Sequence, residues 1–186
     1  YHINNVGSME SLIHVMDTLG ITNLIFSSSC TVYGNPDILP VTEETPFKSA
    51  QSPYGETKQK CEILLNCSSL ASVSLRYFNP IGSHKSTLIG DRSTDKPSNL
   101  VPIICKSITN NTKSHVSALE YLVEQKGKHV YNVGTGNGIS VLEVIKIFED
   151  SNDIKIDYVV GPRREGDVVE VYADCSKINK ELKWSA

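Results

Sequence analysis

The sequence predicts an α/β fold built on a parallel sheet, and three observations carry that prediction. A short apolar run ends abruptly in small polar residues, a helical stretch follows it, and a second short apolar run comes next. Strand, helix and strand in that order imply a parallel crossover. The series opens with a helix over residues 5–19, where Val6, Met9, Leu12, Ile13, Met16 and Leu19 recur at a 3.6-residue period and Gly20 stands as the stop. The first strand covers residues 23–27, and ligands of open α/β sheets sit at the carboxyl edge where such a strand ends. After a Pro-punctuated loop, residues 54–65 read as a helix and residues 72–77 as the next strand.

A polar stretch at residues 83–97, rich in Gly, Ser and Asp, reads as a loop into a second, smaller and mixed region. There the periodicity predicts helices over 99–108, 114–124, 140–149 and 174–182, with strands at 129–133 and 155–160. The expected organisation is therefore a unit over 1–82 and a region over 83–186 interleaved with it. Gly134-Thr135-Gly136-Asn137-Gly138 lacks the G-x-G-x-x-G spacing of a dinucleotide turn and reads as a plain strand-to-helix turn with Ser140 as N-cap.

Composition narrows the function classes. With 186 residues, 39% hydrophobic and 21% charged, the chain has enough apolar material for one sizeable core. A net charge of -3 offers no electrostatic footprint for nucleic acid. No apolar run reaches the roughly 18 residues of a membrane span, and the N-terminus has no signal-like pattern, which fits a soluble cytoplasmic protein. The five cysteines, Cys30, Cys61, Cys67, Cys105 and Cys175, form no C-x-x-C pair and read as reduced thiols, with no metal site.

Tyr54 and Lys58 lie four residues apart on a predicted helix, hence on one face and about one turn, roughly 5.4 Å, apart. A fixed cation beside a phenol favours phenolate, so this spacing leads us to expect a Tyr54 pKa lowered toward working pH. Alone, the pair reads as a surface contact at a helix start. Ser27-Ser28-Ser29, at the end of the first strand, offers hydroxyls that can donate to a carbonyl oxygen while Tyr54 handles the proton, with Ser29 the choice for that role. Alone, three serines also fit a turn.

The combination is more specific than its parts. Ser-Ser-Ser-Cys-Thr-Val-Tyr-Gly at 27–34, Ser52-Pro53-Tyr54-Gly55 with Lys58, and Arg76-Tyr77-Phe78-Asn79-Pro80 together resemble the extended short-chain dehydrogenase/reductases, and within them the UDP-glucose 4-epimerase family most closely. The resemblance runs along nearly the whole chain. It implies the C-terminal part of a Rossmann-like parallel sheet with catalytic Ser29, Tyr54 and Lys58, followed by a UDP-sugar-binding region. It implies NAD as cofactor, held in part by Asn4, Ser27, Tyr54, Lys58, Tyr77 and Phe78. It also implies a UDP-hexose substrate contacted by Ser29, Tyr54, Asn79, Asn99, Leu100, Arg164 and Asp167, and a homodimer. Arg164 suits a diphosphate because its planar fork binds bidentately, and Asp167 would take the ribose hydroxyls. Without the resemblance, residues 162–167 read as a solvated charged turn.

Two departures qualify this. The family pattern implies about 90 further residues ahead of Tyr1, carrying the glycine turn and half the cofactor site, so the 186 residues alone are expected to bind NAD poorly. At Lys113-Ser114 the family has further chain, including an arginine-bearing segment. Thr87 and Asp91 also stand where the family favours Gly and Glu. Related dehydratases carry an acidic pair after the active-site Thr, whereas Thr31 here precedes Val32 and Tyr33, which favours epimerisation at C4 over elimination. A UDP-glucuronate decarboxylase is the alternative within the enzymes, and an inactive nucleotide-sugar-binding remnant the alternative outside them. Val171 matches a position that limits room beside the sugar's C2 substituent, where a small side chain would admit N-acetyl sugars.

Overall fold

A computed structural model describes residues 1–79, 111–163 and 165–186. The predicted loop at 83–97, the helix at 99–108 and the residues Asn99, Leu100, Arg164, Thr87 and Asp91 lie outside them. A π-helical turn, Ile3–Gly7, runs into helix α1, Ser8–Leu19. Gly20 ends α1 at a left-handed φ of 69°, where its amide reaches the Asp17 carbonyl and that of Ile21 reaches Met16, the paired bonds of a Schellman stop. Strand β1, Asn23–Ser29, extends two residues beyond the predicted end and turns through a 3₁₀ segment, Cys30–Tyr33.

Helix α2, Pro53–Cys67, starts where the sequence supplies a full start signal. The Ser52 hydroxyl accepts from the Gly55 amide at 3.1 Å, and Pro53 follows at the first helical position. Strand β2, Ala71–Tyr77, returns parallel to β1, with Ser28 opposite Arg76 and Ser29 opposite Tyr77. Helix α3, Asn111–Glu124, then leads to β3, Lys128–Val133, which pairs parallel with β2. The sheet order is β1-β2-β3, the expected Rossmann-like parallel arrangement.

Packing follows the strand faces. Val73, Leu75, Tyr131 and Val133 are buried against Ala118 and Leu122 of α3 and against Cys175, Ile178, Leu182 and Trp184 near the C-terminus. A second cluster joins Val6 and Met9 to Cys61 and Leu65 of α2. The Lys128 ammonium closes the C-terminal end of α2 by donating to the carbonyls of Leu65, at 2.5 Å, Ser68, at 3.0 Å, and Leu70.

Helix α4, Val141–Asn152, begins with the predicted Ser140 cap, which is half of a capping box with Glu143. The last helix, α5, is shorter than expected, Ser176–Glu181. The predicted strand at 155–160 is not formed. Val159 is 93% exposed and Val160 80% exposed, and the Ile156 amide donates to the Glu149 carboxylate at 2.8 Å rather than to a neighbouring strand. Residues 172–174 instead return to the body by a parallel bridge, in which the Val41 amide donates to the Tyr172 carbonyl at 3.0 Å and the Asp174 amide to Val41 at 2.8 Å.

Candidate active site

The carboxyl ends of β1 and β2, the start of α2 and the start of α3 enclose an open cleft of about 310 Å³ lined by Ser27, Ser28, Ser29, Tyr54, Lys58, Tyr77, Asn79 and His115. Six of the residues singled out by sequence meet there: Ser27, Ser29, Tyr54, Lys58, Tyr77 and Asn79. Asn4 is exposed, and Asp167 is exposed in the segment that passes the start of α2, where Gly166 lies tight against Gln51 and Ser52. Neither lines the cleft. Phe78 also stands outside the lining, because strand alternation turns it away from Tyr77 and toward Tyr33, whose ring lies 6.1 Å away.

Each functional group is held by local structure. Ser29 caps the 3₁₀ turn, its hydroxyl accepting from the Thr31 amide at 3.3 Å and the Thr31 hydroxyl at 3.0 Å. It lines the same cleft as Tyr54. The Lys58 ammonium donates to the Ser27 carbonyl at 2.7 Å and lies 4.8 Å from the Phe26 ring centroid and 5.5 Å from that of Tyr54. From the other side of the sheet, the His115 ring stacks on Tyr77 with centroids 5.7 Å apart. Its two nitrogens meet the Ser27 hydroxyl at 3.0 Å and the Tyr77 hydroxyl at 2.8 Å.

The electrostatics correct one expectation. Burial pushes the Tyr54 phenol up from its ordinary value, only partly offset by the Ser29 side chain, and Lys58 does not bring it down. Burial also lowers the pKa of Lys58. Tyr54 is thus a phenol at neutral pH, able to give a proton as it stands. The expected lowering weighed the spacing of the two residues but not the desolvation of the phenol or the turn of Lys58 toward the Ser27 carbonyl.

Two lining residues were not legible beforehand. His115 meets Ser27 across 88 positions of sequence. Ser28 was seen only as part of the serine run, yet it is 3% exposed and donates to Glu62 of α2 at 2.5 Å. The signal was present only as a carboxylate one helical turn beyond Lys58.

Hydroxyls, a phenol and an ammonium gathered at the carboxyl edge of a parallel sheet are groups able to exchange protons with an alcohol or a carbonyl. A model of the NAD dependent epimerase/dehydratase family matches residues 1–134, and the chain belongs to that family. Along its whole length the chain is similar to the UDP-glucose 4-epimerase of Pasteurella multocida, at 36% identity with 65% of that protein covered. It is 37% identical to the Bos taurus UDP-glucose 4-epimerase, of which it covers 63%. The crystal structure of UDP-glucose 4-epimerase from Bifidobacterium longum in complex with NAD+ and UDP matches with a TM-score of 0.91 at 39% identity, over all of this chain and 65% of that one. The chain therefore spans just under two thirds of these relatives. The aligned stretch, at 219 residues, exceeds the 186 of the chain, so part of the relative lies opposite a gap.

Proposed function

We propose that the whole protein to which this chain belongs interconverts UDP-galactose and UDP-glucose by transient oxidation at C4 of the hexose, as a step of galactose metabolism. The observation that carries this reading is the cleft in which Ser29, Tyr54 and Lys58 converge with no carboxylate beside Thr31. An acid there would favour elimination instead. The donor set fits the nicotinamide riboside end of NAD, with the Lys58 ammonium and the hydroxyls of Ser27 and Tyr77 available at the sheet edge. NAD, when bound, accepts hydride from C4 and returns it.

The residues of this chain manage the oxygen at C4. Ser29 donates to it as its charge changes, and Tyr54 removes the hydroxyl proton and gives it back. The buried phenol is ready for the second of these acts, and the Lys58 ammonium holds the ribose of the nicotinamide. Arg164 on the diphosphate and Asp167 on the uridine ribose, with Asn79, Asn99 and Leu100, hold the nucleotide end while the oxidised sugar turns over. Asn4 and Phe78 complete the cofactor pocket, and residues 1–82 serve as the remainder of the NAD-binding domain with 83–186 as the UDP-sugar region.

The whole protein is a cytoplasmic homodimer in this reading. Exposed Leu12 and Val15 of α1 and Ile63 of α2 support pairing through those helices, and the free thiols of Cys30, Cys61, Cys67 and Cys175 suit a reducing compartment. The test is incubation of the whole protein with UDP-galactose and NAD, following UDP-glucose. Conversion that Tyr54→Phe abolishes is the expected result. Absence of conversion, or conversion indifferent to that substitution, overturns the reading, and release of carbon dioxide from UDP-glucuronate instead establishes the decarboxylase.

A further inference from the structure

Behind the cleft lies a buried polar unit that the reaction chemistry does not use. Glu62, 2% exposed, stands one turn beyond Lys58 and two beyond Tyr54 on the same side of α2. Its carboxylate accepts three hydrogen bonds: from the Ser28 hydroxyl at 2.5 Å, from Arg76 Nε at 3.0 Å and from Arg76 Nη2 at 2.7 Å. Arg76 in turn donates through Nη1 to the Tyr33 hydroxyl at 2.9 Å and the Glu43 carbonyl at 3.2 Å. Tyr33 passes the chain on, donating to Asn132 of β3 at 2.6 Å. Ser28, itself in the cleft lining, and Arg76 are register partners, each next to another cleft residue, Ser29 and Tyr77.

Stability alone gives little reason for such a unit. A buried ion pair loses most of its Coulombic gain to desolvation, and well-packed apolar side chains would serve a core as well. What the fork of Arg76 and the two oxygens of Glu62 supply is direction. Two parallel bonds fix the angle between α2 and β2, and the third, from Ser28, fixes the height of β1 against α2. Ser29 follows Ser28 on β1 and Tyr54 opens α2, so both relations bear on the two cleft residues.

We infer that Glu62, Arg76 and Ser28 are positioning residues that hold Ser29 and Tyr54 in place relative to one another in the cleft. The inference rests on the proposed chemistry only for its kinetic readout. Glu62→Gln is the obvious variant, but it leaves the Arg76 charge undercompensated and can unfold the protein. Ser28→Ala removes one arm and keeps the ion pair, so it carries the test. In the whole protein labelled at the tyrosine ζ-carbon, the Tyr54 resonance is assigned by its loss in Tyr54→Phe. Its position at neutral pH reports the surroundings of the phenol, and Ser29→Ala supplies the reference displacement for loss of the Ser29 hydroxyl.

Ser28→Ala is expected to move the Tyr54 resonance in the same direction as Ser29→Ala, and to lower kcat roughly tenfold with KM unchanged, the scale of a small misplacement of a reacting group. Ser28→Thr, which keeps the hydroxyl, restores both. A Tyr54 resonance that responds to Ser29→Ala but stays in place in Ser28→Ala overturns the inference. If the protein does not convert UDP-galactose at all, the resonance still decides the positioning role, so the two failures are told apart.

Discussion

Around Arg76, polar groups from β1, α2, β2, β3 and the loop after the 3₁₀ turn are buried and bonded to one another, whereas between Asp153 and Glu170 apolar side chains stand in water without a strand to join. Both regions depart from the simple rule that apolar residues go inside. The first does so because every donor and acceptor finds a partner, which makes burial of a charge tolerable. The second does so because side-chain pattern alone does not supply a neighbouring backbone. The bonded polar frame thus lies under the residues proposed to handle the proton, and exposure along the segment proposed to grip the nucleotide.

Substitutions that exploit this contrast differ widely in expected size. Glu62→Leu should cost the most, about 3 to 5 kcal/mol by chemical denaturation, because Arg76 is left as a buried charge without its counterion. A much smaller loss would mean that the frame is looser than its bonds indicate. Alkaline pH should act next. Burial raises the Cys30 thiol from its ordinary 9.0 to about 11 and the Tyr33 phenol from 10.0 to about 12. Both folded-state values lie above the unfolded ones, so their stabilising effect is complete below pH 9 and is lost as pH rises through about 11 and then about 12. For Cys30 the two-unit rise corresponds to about 2 to 3 kcal/mol. Cys30→Ala should flatten the fall in stability between pH 9 and 11, and an unchanged slope would remove Cys30 from the account.

The sequence made the frame readable where local signals and packing agree. The apolar run ending in serines, Gly20 past α1, and Ser140 before α4 each has one inexpensive conformation, and the structure adopts it. Ser29, Tyr54 and Lys58 were legible because a strand end and the next helix start converge in any parallel crossover, whereas Ser27, Tyr77 and Asn79, which line the same cleft, were reached through the family resemblance. Ser28 and His115 were not, since their partners lie 34 and 88 positions away and depend on tertiary approach. The direction of the Tyr54 shift was missed for a related reason: spacing reveals a neighbouring cation, but desolvation depends on what the rest of the chain covers. The residues at 155–160 show the converse, with Ile156 and Tyr158 alternating as a strand would while no partner adjoins them among the described residues.

Within the exposed segment, Gly166 is the position where the contrast with the frame should fade. Its φ of +85° and the closeness of Gln51, whose carbonyl would lie 2.9 Å from an added Cβ, leave no comfortable place for a side chain. Gly166→Ala should therefore cost about 1 kcal/mol or more and draw the segment away from the start of α2, weakening UDP binding measured by calorimetry. Unchanged UDP affinity would separate the segment from the nucleotide.

Val159→Ser should have the smallest effect of all. At 93% exposure the side chain has almost no burial to lose, and surface changes of this kind stay within about 0.5 kcal/mol. Equilibrium unfolding of the whole protein distinguishes two situations. An indifferent midpoint leaves Val159 in solvent in the assembled molecule. A destabilisation on the scale of a buried valine, about 1.5 kcal/mol or more, would mean that further chain covers this segment, and the exposed half of the comparison would then belong to the same packed body as the frame.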